Sequence, residues 1–301
     1  MYDTIIIGAG IAGLTAAIYA SRKRMKFEII SADFSGQFMQ SGEILNYPGI
    51  VKTTGAEFSK IMEEQMKFND VKIKAENVKN IEKKGTNFIV VTDRKKYETK
   101  TVIIATGARP RKLNVPGEDK FANKGVTYCS ICDGPLFKGK DVAVIGGGDA
   151  ALDAVDFLKD IVSKINMIVI GDKVTGHEYL QERVKKNKKV KVFFNAKTTE
   201  ILGDKFVTGI KFEQDGKEKQ LKVQGVIVEI GRVPNTEFAK ELVELDEHGH
   251  ILIDCQGHTK VAGIFAAGDC ASGHEYQYVI AAGQGCMALI KAARYLANKK
   301  E

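Results

Sequence analysis

The chain has 301 residues, of which 44% are hydrophobic, 30 are glycine and five are proline, a composition that excludes a disordered or fibrous protein and favours a two-domain α/β protein. Its formal net charge of +7 is spread along the chain, and because no aromatic signature accompanies the basic runs, we expect no nucleic-acid partner. Five cysteines form too sparse a set for a secreted disulfide scaffold.

A strand, a glycine-rich turn and a helix open the chain. The apolar strand Thr4–Ile7 leads into the turn Gly8–Gly13, an alanine-rich helix follows to about Ala20, and a second strand covers Phe27–Ile30. In a G-x-G-x-x-G turn the first glycine makes the tight turn, the second lets a pyrophosphate approach the backbone, and the third lets the helix pack on the strand, so the pattern predicts a dinucleotide site. Its expected contacts are Gly8, Gly10, Ala12 and Gly13.

The start of the chain also bears on its location. The buried-strand pattern begins at Asp3 and leaves no room for a cleavable signal. No stretch approaches the roughly 20 apolar residues that a membrane-spanning helix needs. We therefore expect a cytoplasmic protein with no membrane partner.

Two cysteines one helical turn apart, Cys129 and Cys132, lie between this unit and a second glycine-rich turn. A C-x-x-C pair is typical of a structural zinc half-site or of a redox disulfide. Cys255 and His258 would supply two further zinc ligands, but they lie more than a hundred residues away, so we favour the redox disulfide and expect no metal site. Asp133 is the obvious proton-transfer group beside Cys132, although an aspartate at this position can also cap a helix.

The second glycine-rich turn repeats the plan of the first. A strand at Asp141–Ile145 leads into the turn Gly146–Ala151, a helix runs to about Ser163, and another strand covers Ile165–Ile170. Two such units imply two separate nucleotide-binding domains. The expected contacts of the second are Gly146, Gly148, Asp149, Ala150 and Asp172.

The C-terminal segment returns to the first domain. Leu245–Ile251 is a hairpin with an exposed turn, Gly263–Ala267 is an apolar strand that ends in Gly268-Asp269, and a last helix runs from about Gln277 to Leu296. A strand that ends in Gly-Asp before a helix is a plausible second clamp on the first cofactor. We therefore expect the first domain to be discontinuous.

The predicted fold is α/β, with two Rossmann-like, three-layer domains of which the second is inserted into the first. The cofactor domain comprises residues 1–114 and 235–301, and the NAD(P)-like domain, which carries the C-x-x-C pair, comprises residues 115–234. The other cysteines, Cys255, Cys270 and Cys286, are expected to be buried and inert.

The chain resembles the low-molecular-weight thioredoxin reductases over nearly its whole length. The motifs that carry the resemblance are Gly8–Gly13, Gly36-Gln37, Asn46–Gly49, Ala105–Ala108, Cys129–Asp133, Gly146–Ala151, Gly231, Pro234–Thr236, Ala266–Asp269 and Ala282–Ala288. The resemblance implies FAD in the first domain, a homodimer, and a rotation between the domains that lets the dithiol meet the flavin and the outside partner in turn.

The same resemblance assigns residues to the FAD. It implies that Asp33 lies near the adenosine end, that Gln37 and Asn46 approach the flavin, and that Asp269, with Gln277 nearby, holds the ribityl or phosphate region. The further contacts that it implies are Gly36, Thr106, Gly107 and Gly268.

For the two redox cysteines, the resemblance implies that Cys132 faces the flavin and that Cys129 attacks the disulfide of a thioredoxin-fold partner. The sequence leaves open whether that partner is a thioredoxin, a glutaredoxin-like protein or a peroxidase subunit. The alternative function is a flavin-binding redox sensor, whose dithiol changes state without turning over a substrate.

The electron donor is the point at which the sequence departs from the family. Relatives that use NADPH carry a His-Arg-Arg segment after the strand of the second, NAD(P)-like domain, and the arginines of this segment bind the 2′-phosphate. Here the corresponding stretch is Ile168–Lys173, and it has no arginine. NADH, with Asp172 on the ribose hydroxyl, fits best; a reduced deazaflavin, ferredoxin or weak use of NADPH are the alternatives.

Overall fold

A computed structural model describes residues 1–34, 36–41 and 43–299 and divides the chain into two compact units. Unit 1 comprises Met1–Arg109 and Val233–Glu301, and unit 2 comprises Pro110–Arg232. Both crossing points lie a few residues before those expected from the sequence. The prediction of an α/β fold with Rossmann-like sheets, the second unit inserted into the first, is confirmed.

The described residues form the following elements. The strands are β1 (Tyr2–Ile7), β2 (Phe27–Ser31), β3 (Glu43–Ile44), β4 (Thr53–Thr54), β5 (Ile73–Ala75), β6 (Val78–Lys84), β7 (Asn87–Thr92), β8 (Lys96–Ile104), β9 (Ala108–Pro110), β10 (Val126–Thr127), β11 (Asp141–Ile145), β12 (Lys164–Ile168), β13 (Val190–Phe193), β14 (Ala196–Gly203), β15 (Val207–Gln214), β16 (Lys217–Leu221), β17 (Gly225–Val228), β18 (Arg232–Pro234) and β19 (Ile264–Ala266). The helices are α1 (Ile11–Arg22), α2 (Gly55–Phe68), α3 (Ser130–Asp133), α4 (Asp149–Leu158), α5 (Glu178–Lys186) and α6 (Tyr278–Asn298). None of these described helices has both the length and the apolar content needed to cross a membrane.

A seven-stranded sheet forms the centre of unit 1. Its order is β5-β2-β1-β8-β7-β6, and β19 pairs with the end of β8. Strand β1 runs parallel to both neighbours, which places Ile6 opposite Ile29 on one side and Ile103 on the other, all three fully buried. Because β2, β1, β8 and β19 are parallel, their carboxyl ends lie at one edge, where ligands bind in sheets of this kind.

Helix α1 lies against this sheet and packs on α6. Leu14 of α1 and Leu289 of α6 belong to one buried apolar cluster. The two helices approach closely where Gly285 meets the backbone of Ala12, since a Cβ on Gly285 would overlap the carbonyl oxygen of Ala12. The contact fixes the first turn of α1, and with it the glycine turn that precedes it.

Unit 2 contains a five-stranded parallel sheet in the order β10-β17-β11-β12-β13. Val144 of its central strand lies between Ile227 and Met167, and all three are fully buried. Helix α4 packs on one face through Leu152 and Val155. A separate antiparallel sheet, β14-β15-β16, adds to a second apolar cluster.

Helix α4 ends at Leu158 rather than near Ser163, so its expected length was wrong. The N–H of Val162 donates to Leu158 O at 3.0 Å, and the ammonium of Lys189 donates to the carbonyl oxygens of Lys159 and Val162 at 2.8 and 3.1 Å. These bonds satisfy carbonyl groups at the end of the helix, and the β-branched residues that follow have low helix propensity. The other elements expected from the sequence lie within two residues of their observed ends.

The close approach of α6 to α1 yields a stability prediction. We expect Gly285→Ala to lower the free energy of unfolding by about 1–3 kcal/mol, because the added methyl group must push α6 away from Ala12. Gly283→Ala, in the same helix, is the matched control: its Cβ would meet nothing within 4 Å, and alanine there gains up to about 1 kcal/mol of helix propensity. Urea unfolding of the two variants measures the difference, and equal stabilities would contradict the close contact of Gly285 with Ala12.

Candidate functional site

The first glycine turn joins β1 to α1 by close backbone contacts. Gly8 has a φ of +105°, and a Cβ on it would overlap Ala105 O; a Cβ on Gly13 would overlap Gly8 O. Gly10 differs, since its Cβ would meet nothing within 4 Å. Gly8 and Gly13 are therefore required by the fold, while Gly10 leaves open space at the N-terminus of α1, where N–H groups and the helix dipole favour a phosphate.

A cavity of about 560 Å³ in unit 1 begins at this turn and follows the carboxyl ends of the strands. Among the residues that line it are Gly8, Ser31, Asp33, Glu76, Lys79 and Thr106. Asp33 is exposed, and Ser31 Oγ lies 3.5 Å from its carboxylate. Asp33 thus lines the same cavity as Gly8 of the glycine turn.

The four polar residues expected near the flavin and the ribityl or phosphate region form two pairs. The Gln37 amide donates to the carboxylate of Asp269 at 3.4 Å and to the carbonyl oxygen of Ala108. The Asn46 amide donates to Gln277 Oε1 at 3.3 Å. Polar residues far apart in sequence are therefore brought together in unit 1.

The Thr106-Gly107 segment is held by a residue that was not predicted as a site residue. The side chain of Asn235 donates from Nδ2 to the backbone oxygen of Thr106 at 2.9 Å, and the backbone oxygen of Asn235 accepts from Thr106 Oγ1 at 2.6 Å. Gly107 has a φ of +63°, as the bend requires. The feature of the sequence that could have revealed it is the Pro234-Asn235 pair at the end of β18, which belongs to a motif that carries the resemblance.

Two further predicted glycines lie against the first turn. A Cβ on Gly36 would be 3.4 Å from Gly10 Cα, and a Cβ on Gly268 would be 3.1 Å from the side chain of Ala12. Gly268 N–H donates to Gln284 Oε1 at 2.7 Å. Gly36 therefore lies beside Gly10, and Gly268 lies beside the first turn of α1.

The second glycine turn lines a cavity of about 990 Å³ in unit 2. Gly146 has a φ of +135°, and a Cβ on it would overlap Glu229 O, whereas a Cβ on Gly148 would have its nearest neighbour, Thr175 Oγ1, at 4.0 Å. Asp149 accepts the N–H of His177 at 2.6 Å, and Ala150 is exposed. The turn thus repeats the open position that Gly10 occupies in unit 1.

Asp172 is not among the residues that line this cavity. It is exposed, and the cavity is lined on this side by Gly171, Lys173 and Thr175 instead. Thr175 is held there by its N–H, which donates to Gly147 O at 2.7 Å. Residues 170–173 form a bend after β12, and the spacing in sequence did not reveal which of them line the cavity.

Glu229 is a further residue of this cavity that the sequence analysis missed. It follows the buried strand β17, and its carboxylate accepts the backbone N–H of Ser130, next to Cys129. Burial raises the pKa of Glu229 to about 7, against the lowering effect of Arg232. The feature of the sequence that could have revealed Glu229 is an acidic residue at the carboxyl end of a buried parallel strand.

Cys129 and Cys132 form a disulfide, with their Cα atoms 5.4 Å apart. Cys129 is the N-cap residue of α3, and its Sγ accepts the backbone N–H of Cys132 at 3.2 Å. Cys132 is exposed, and Cys129 is half-buried. A backbone N–H directed at Cys129 would stabilise negative charge on that sulfur after reduction.

The carboxylate of Asp133 lies in a short hydrogen-bond chain beside the disulfide. Its Oδ2 accepts from Thr127 Oγ1 at 2.5 Å, and Thr127 Oγ1 accepts the N–H of Cys129 at 3.1 Å. The side chain makes no cap hydrogen bond to the turn Gly134–Phe137 that follows, so the capping alternative is not supported.

The other cysteines differ in exposure. Cys270 is fully buried, and burial raises the pKa of its thiol. Cys286 is half-buried. Cys255 is exposed, so the expectation that it is buried was wrong; it lies in the turn between Asp254 and His258, whose side chains bond to each other at 2.9 Å.

Comparison with known proteins identifies the family. Residues 2–293 match the family model described as "Pyridine nucleotide-disulphide oxidoreductase". The chain is 40% identical over 298 residues to "NADH dehydrogenase" of Bacillus subtilis strain 168, and 40% identical over 299 residues to the F subunit of alkyl hydroperoxide reductase from Staphylococcus aureus strain MSSA476. Each match covers 98% of this chain but only 58% and 59% of those relatives, so the chain spans a little under three fifths of their length.

Among solved structures, the crystal structure of Lactococcus lactis thioredoxin reductase (FR conformation) matches with a TM-score of 0.90 and 33% sequence identity. The match covers 99% of this chain and 100% of that one. The chain therefore belongs to the pyridine nucleotide-disulphide oxidoreductase family and has the fold of the low-molecular-weight thioredoxin reductases within it.

Proposed function

We propose that the protein is an FAD-dependent disulfide reductase that takes electrons from NADH and passes them through the Cys129–Cys132 pair to a thioredoxin-fold protein. The observation that carries the proposal is a Cys129–Cys132 disulfide in the same unit as a nucleotide-sized cavity with an intact glycine turn. A homodimer is part of the proposal and rests on the resemblance alone.

The residues of unit 1 fit FAD. The open position at Gly10 leaves room for a pyrophosphate at the start of α1. The cavity that Gly8 of the same turn lines also reaches Asp33. The pairs Gln37–Asp269 and Asn46–Gln277 offer polar groups for the other end of the molecule. When bound, the flavin supplies the two-electron exchange between a hydride donor and a disulfide.

The cysteines of this chain perform the exchange with the partner. Two electrons and two protons convert the Cys129–Cys132 disulfide into two thiols. The Cys129 thiolate then attacks the disulfide of the partner and forms a mixed disulfide, and the Cys132 thiolate displaces the partner as its dithiol and restores the starting bond. The N–H of Cys132 supports the negative charge on Cys129, and Asp133 is placed beside the pair to hold or release the proton.

NADH is favoured as the donor by the lining of the unit 2 cavity. The described lining residues include Lys173 and Lys197 but no arginine, so the paired donors that bind a 2′-phosphate in a fork are lacking. The name of the Bacillus subtilis relative, NADH dehydrogenase, points the same way. If ferredoxin or a reduced deazaflavin were the donor, no nucleotide pyrophosphate would use the open position at Gly148.

The partner is proposed to be a protein of the thioredoxin fold. The thioredoxin reductase match covers the whole of that chain, whereas the match to the alkyl hydroperoxide reductase component covers 59% of that relative. A peroxidase subunit is therefore the second candidate, since a thiol–disulfide exchange at Cys129 has the same chemistry with either partner.

The dithiol role predicts a separation of the two half-reactions. We expect Cys129→Ser and Cys132→Ser each to abolish reduction of a thioredoxin disulfide while NADH still bleaches the flavin. Cys255→Ser, which removes an exposed thiol outside the pair, should keep full turnover. Anaerobic stopped-flow absorbance and a disulfide reduction assay measure the two steps. Turnover that survives in either serine variant would refute the dithiol role, and loss of turnover in Cys255→Ser would assign that role elsewhere.

The donor prediction uses the open position of the second turn. We expect NADH to bleach the flavin faster than NADPH, reduced deazaflavin or ferredoxin. Gly148→Val should slow reduction by NADH at least about tenfold, because its side chain enters the space left for the pyrophosphate, while chemical reduction by dithionite is unchanged. Bleaching by ferredoxin or deazaflavin at the wild-type rate in Gly148→Val, with no response to NADH in either protein, would replace NADH as the donor.

The raised pKa of Glu229 predicts a pH-dependent stability. Since the folded pKa of about 7 lies above the ordinary 4.5, the native state binds the extra proton, and its contribution to stability is lost as pH rises from about 4.5 through 7. The loss is at most about 3 kcal/mol. We expect Glu229→Gln to remove this part of the pH profile and to be more stable than wild type at pH 8.

Urea unfolding at pH 5 and pH 8 measures the effect. The matched control is Glu241→Gln, an exposed glutamate whose removal should leave the wild-type profile unchanged. Identical pH profiles for wild type and Glu229→Gln would show that burial does not shift the ionisation of Glu229.

A further inference from the structure

Three side chains of unit 1 meet at a place that the proposed redox function does not use. Asp246 and His250 lie in the hairpin around Leu245 and Ile251, and His274 lies in the loop between Asp269 and α6. Their ligand atoms lie within 4.8 Å of one another. Asp246 Oδ2 is 3.1 Å from His274 Nε2 and 3.3 Å from His250 Nδ1.

The Asp246 carboxylate is oriented by the backbone. Its Oδ1 accepts the N–H groups of His248 and His250 at 2.8 and 2.9 Å. Its Oδ2 is enclosed and makes no well-directed hydrogen bond, although two ring nitrogens lie within 3.3 Å of it. Burial opposes ionisation, but these N–H groups hold the pKa of Asp246 below its usual value. The carboxylate therefore presents one charged oxygen to the two histidines.

His250 is held in the same way from its far side. The ring is buried, with 3% exposure, which corrects the expectation of a fully exposed turn. Its Nε2 lies 2.6 Å from the hydroxyl of Tyr276, which leaves Nδ1 facing Asp246. Burial lowers the pKa of His250, against the raising effect of Asp246. A ligating histidine in proteins is commonly neutral and fixed by a hydrogen bond at its other nitrogen.

The chain contains an internal comparison for this arrangement. Asp254 and His258 have the same spacing, and Asp254 Oδ1 also accepts the N–H of His258, at 2.9 Å. There, however, the side chain of His258 is 40% exposed. Among the described residues, no second histidine joins Asp254 and His258 in a group of metal ligands. An Asp–His turn therefore forms without any ligand cluster. The turn of Asp246 and His250 differs from that of Asp254 and His258 in three ways: His250 is buried, its ring contacts Tyr276, and His274 lies close to Asp246.

We propose that Asp246, His250 and His274 form a binding site for a divalent transition-metal ion, with Zn²⁺ as the natural probe. Metal–ligand distances of about 2.0–2.1 Å place the ligand atoms of a tetrahedral site about 3.3 Å apart. The two distances from Asp246 Oδ2, 3.1 and 3.3 Å, agree with that edge. Two neutral imidazoles and one carboxylate suit Zn²⁺ and similar ions and leave a position for water or for the exposed His248.

A metal ion here would join two segments of unit 1. His274 and Tyr276 lie in the loop that begins after Asp269 and ends at Gln277, the N-cap residue of α6. Both ends of this loop carry polar side chains of the proposed flavin side. An ion held by His274 would therefore fix the loop to the hairpin of Asp246, and this site does not depend on which donor or partner the redox centre uses.

The test uses the FAD-loaded protein with Cys255→Ser and the Cys129–Cys132 pair oxidised, so that no exposed free thiol of the described chain competes for metal. After EDTA treatment, the protein is titrated with Zn²⁺ by calorimetry and with Co²⁺ by visible absorbance. We expect about one equivalent to bind, with a Co²⁺ spectrum free of thiolate charge-transfer bands. His274→Asn, in which asparagine tolerates the positive φ of that position, should weaken binding at least about tenfold. His258→Ala should bind as before.

The flavin absorbance of each variant checks that it is folded. Wild-type protein that takes up no more Zn²⁺ or Co²⁺ than His274→Asn would overturn the site, as would equal losses in His274→Asn and His258→Ala. Independently of any variant, Zn²⁺ should raise the melting temperature of the EDTA-treated protein with increasing concentration, and the absence of a shift at saturating metal would also reject the proposal.

Discussion

Two turns in this chain bring backbone against backbone so closely that a side chain is excluded. A Cβ on Gly13 would overlap the carbonyl oxygen of Gly8, and a Cβ on Gly146 would overlap that of Glu229. Both contacts hold a helix N-terminus at the carboxyl edge of a parallel sheet, and both leave the neighbouring position, Gly10 or Gly148, open. The cavities depend on this constraint, because each is lined both by its glycine turn and by residues that follow the carboxyl ends of neighbouring parallel strands, such as Asp33 after β2 and Glu229 after β17.

The parts of the fold that could be predicted are those encoded in short stretches of sequence. The spacing of Gly8, Gly10 and Gly13 after an apolar strand specifies the turn, and its repetition at Gly146 specifies a second unit. Cys129 and Cys132 lie one helical turn apart and form their bond across the first turn of α3. The family match over residues 2–293 agrees with these local signals, and so does the insertion of one unit into the other.

The parts that could not be predicted involve side chains that meet across long separations. Nothing near Glu229 in the sequence shows that its carboxylate accepts an N–H beside Cys129. Asp246 and His250 form a local turn, but the approach of His274 depends on how the loop before α6 returns to the hairpin. Asp172 shows the converse, because its position in sequence suggested a ligand contact, whereas its neighbours Gly171 and Lys173 line the cavity and Asp172 does not.

The interrupted course of unit 1 has a consequence for how the chain folds as it is made. Strand β8 pairs with β19, which places Val102 opposite Ile264. Helix α1 cannot complete its packing until Gly285 of α6 has been synthesised. Unit 2, by contrast, is complete once Arg232 has left the ribosome. Unit 2 can therefore reach its final structure while unit 1 still lacks β19 and α6. The slow folding step, which needs contacts between distant parts of the sequence, belongs to unit 1.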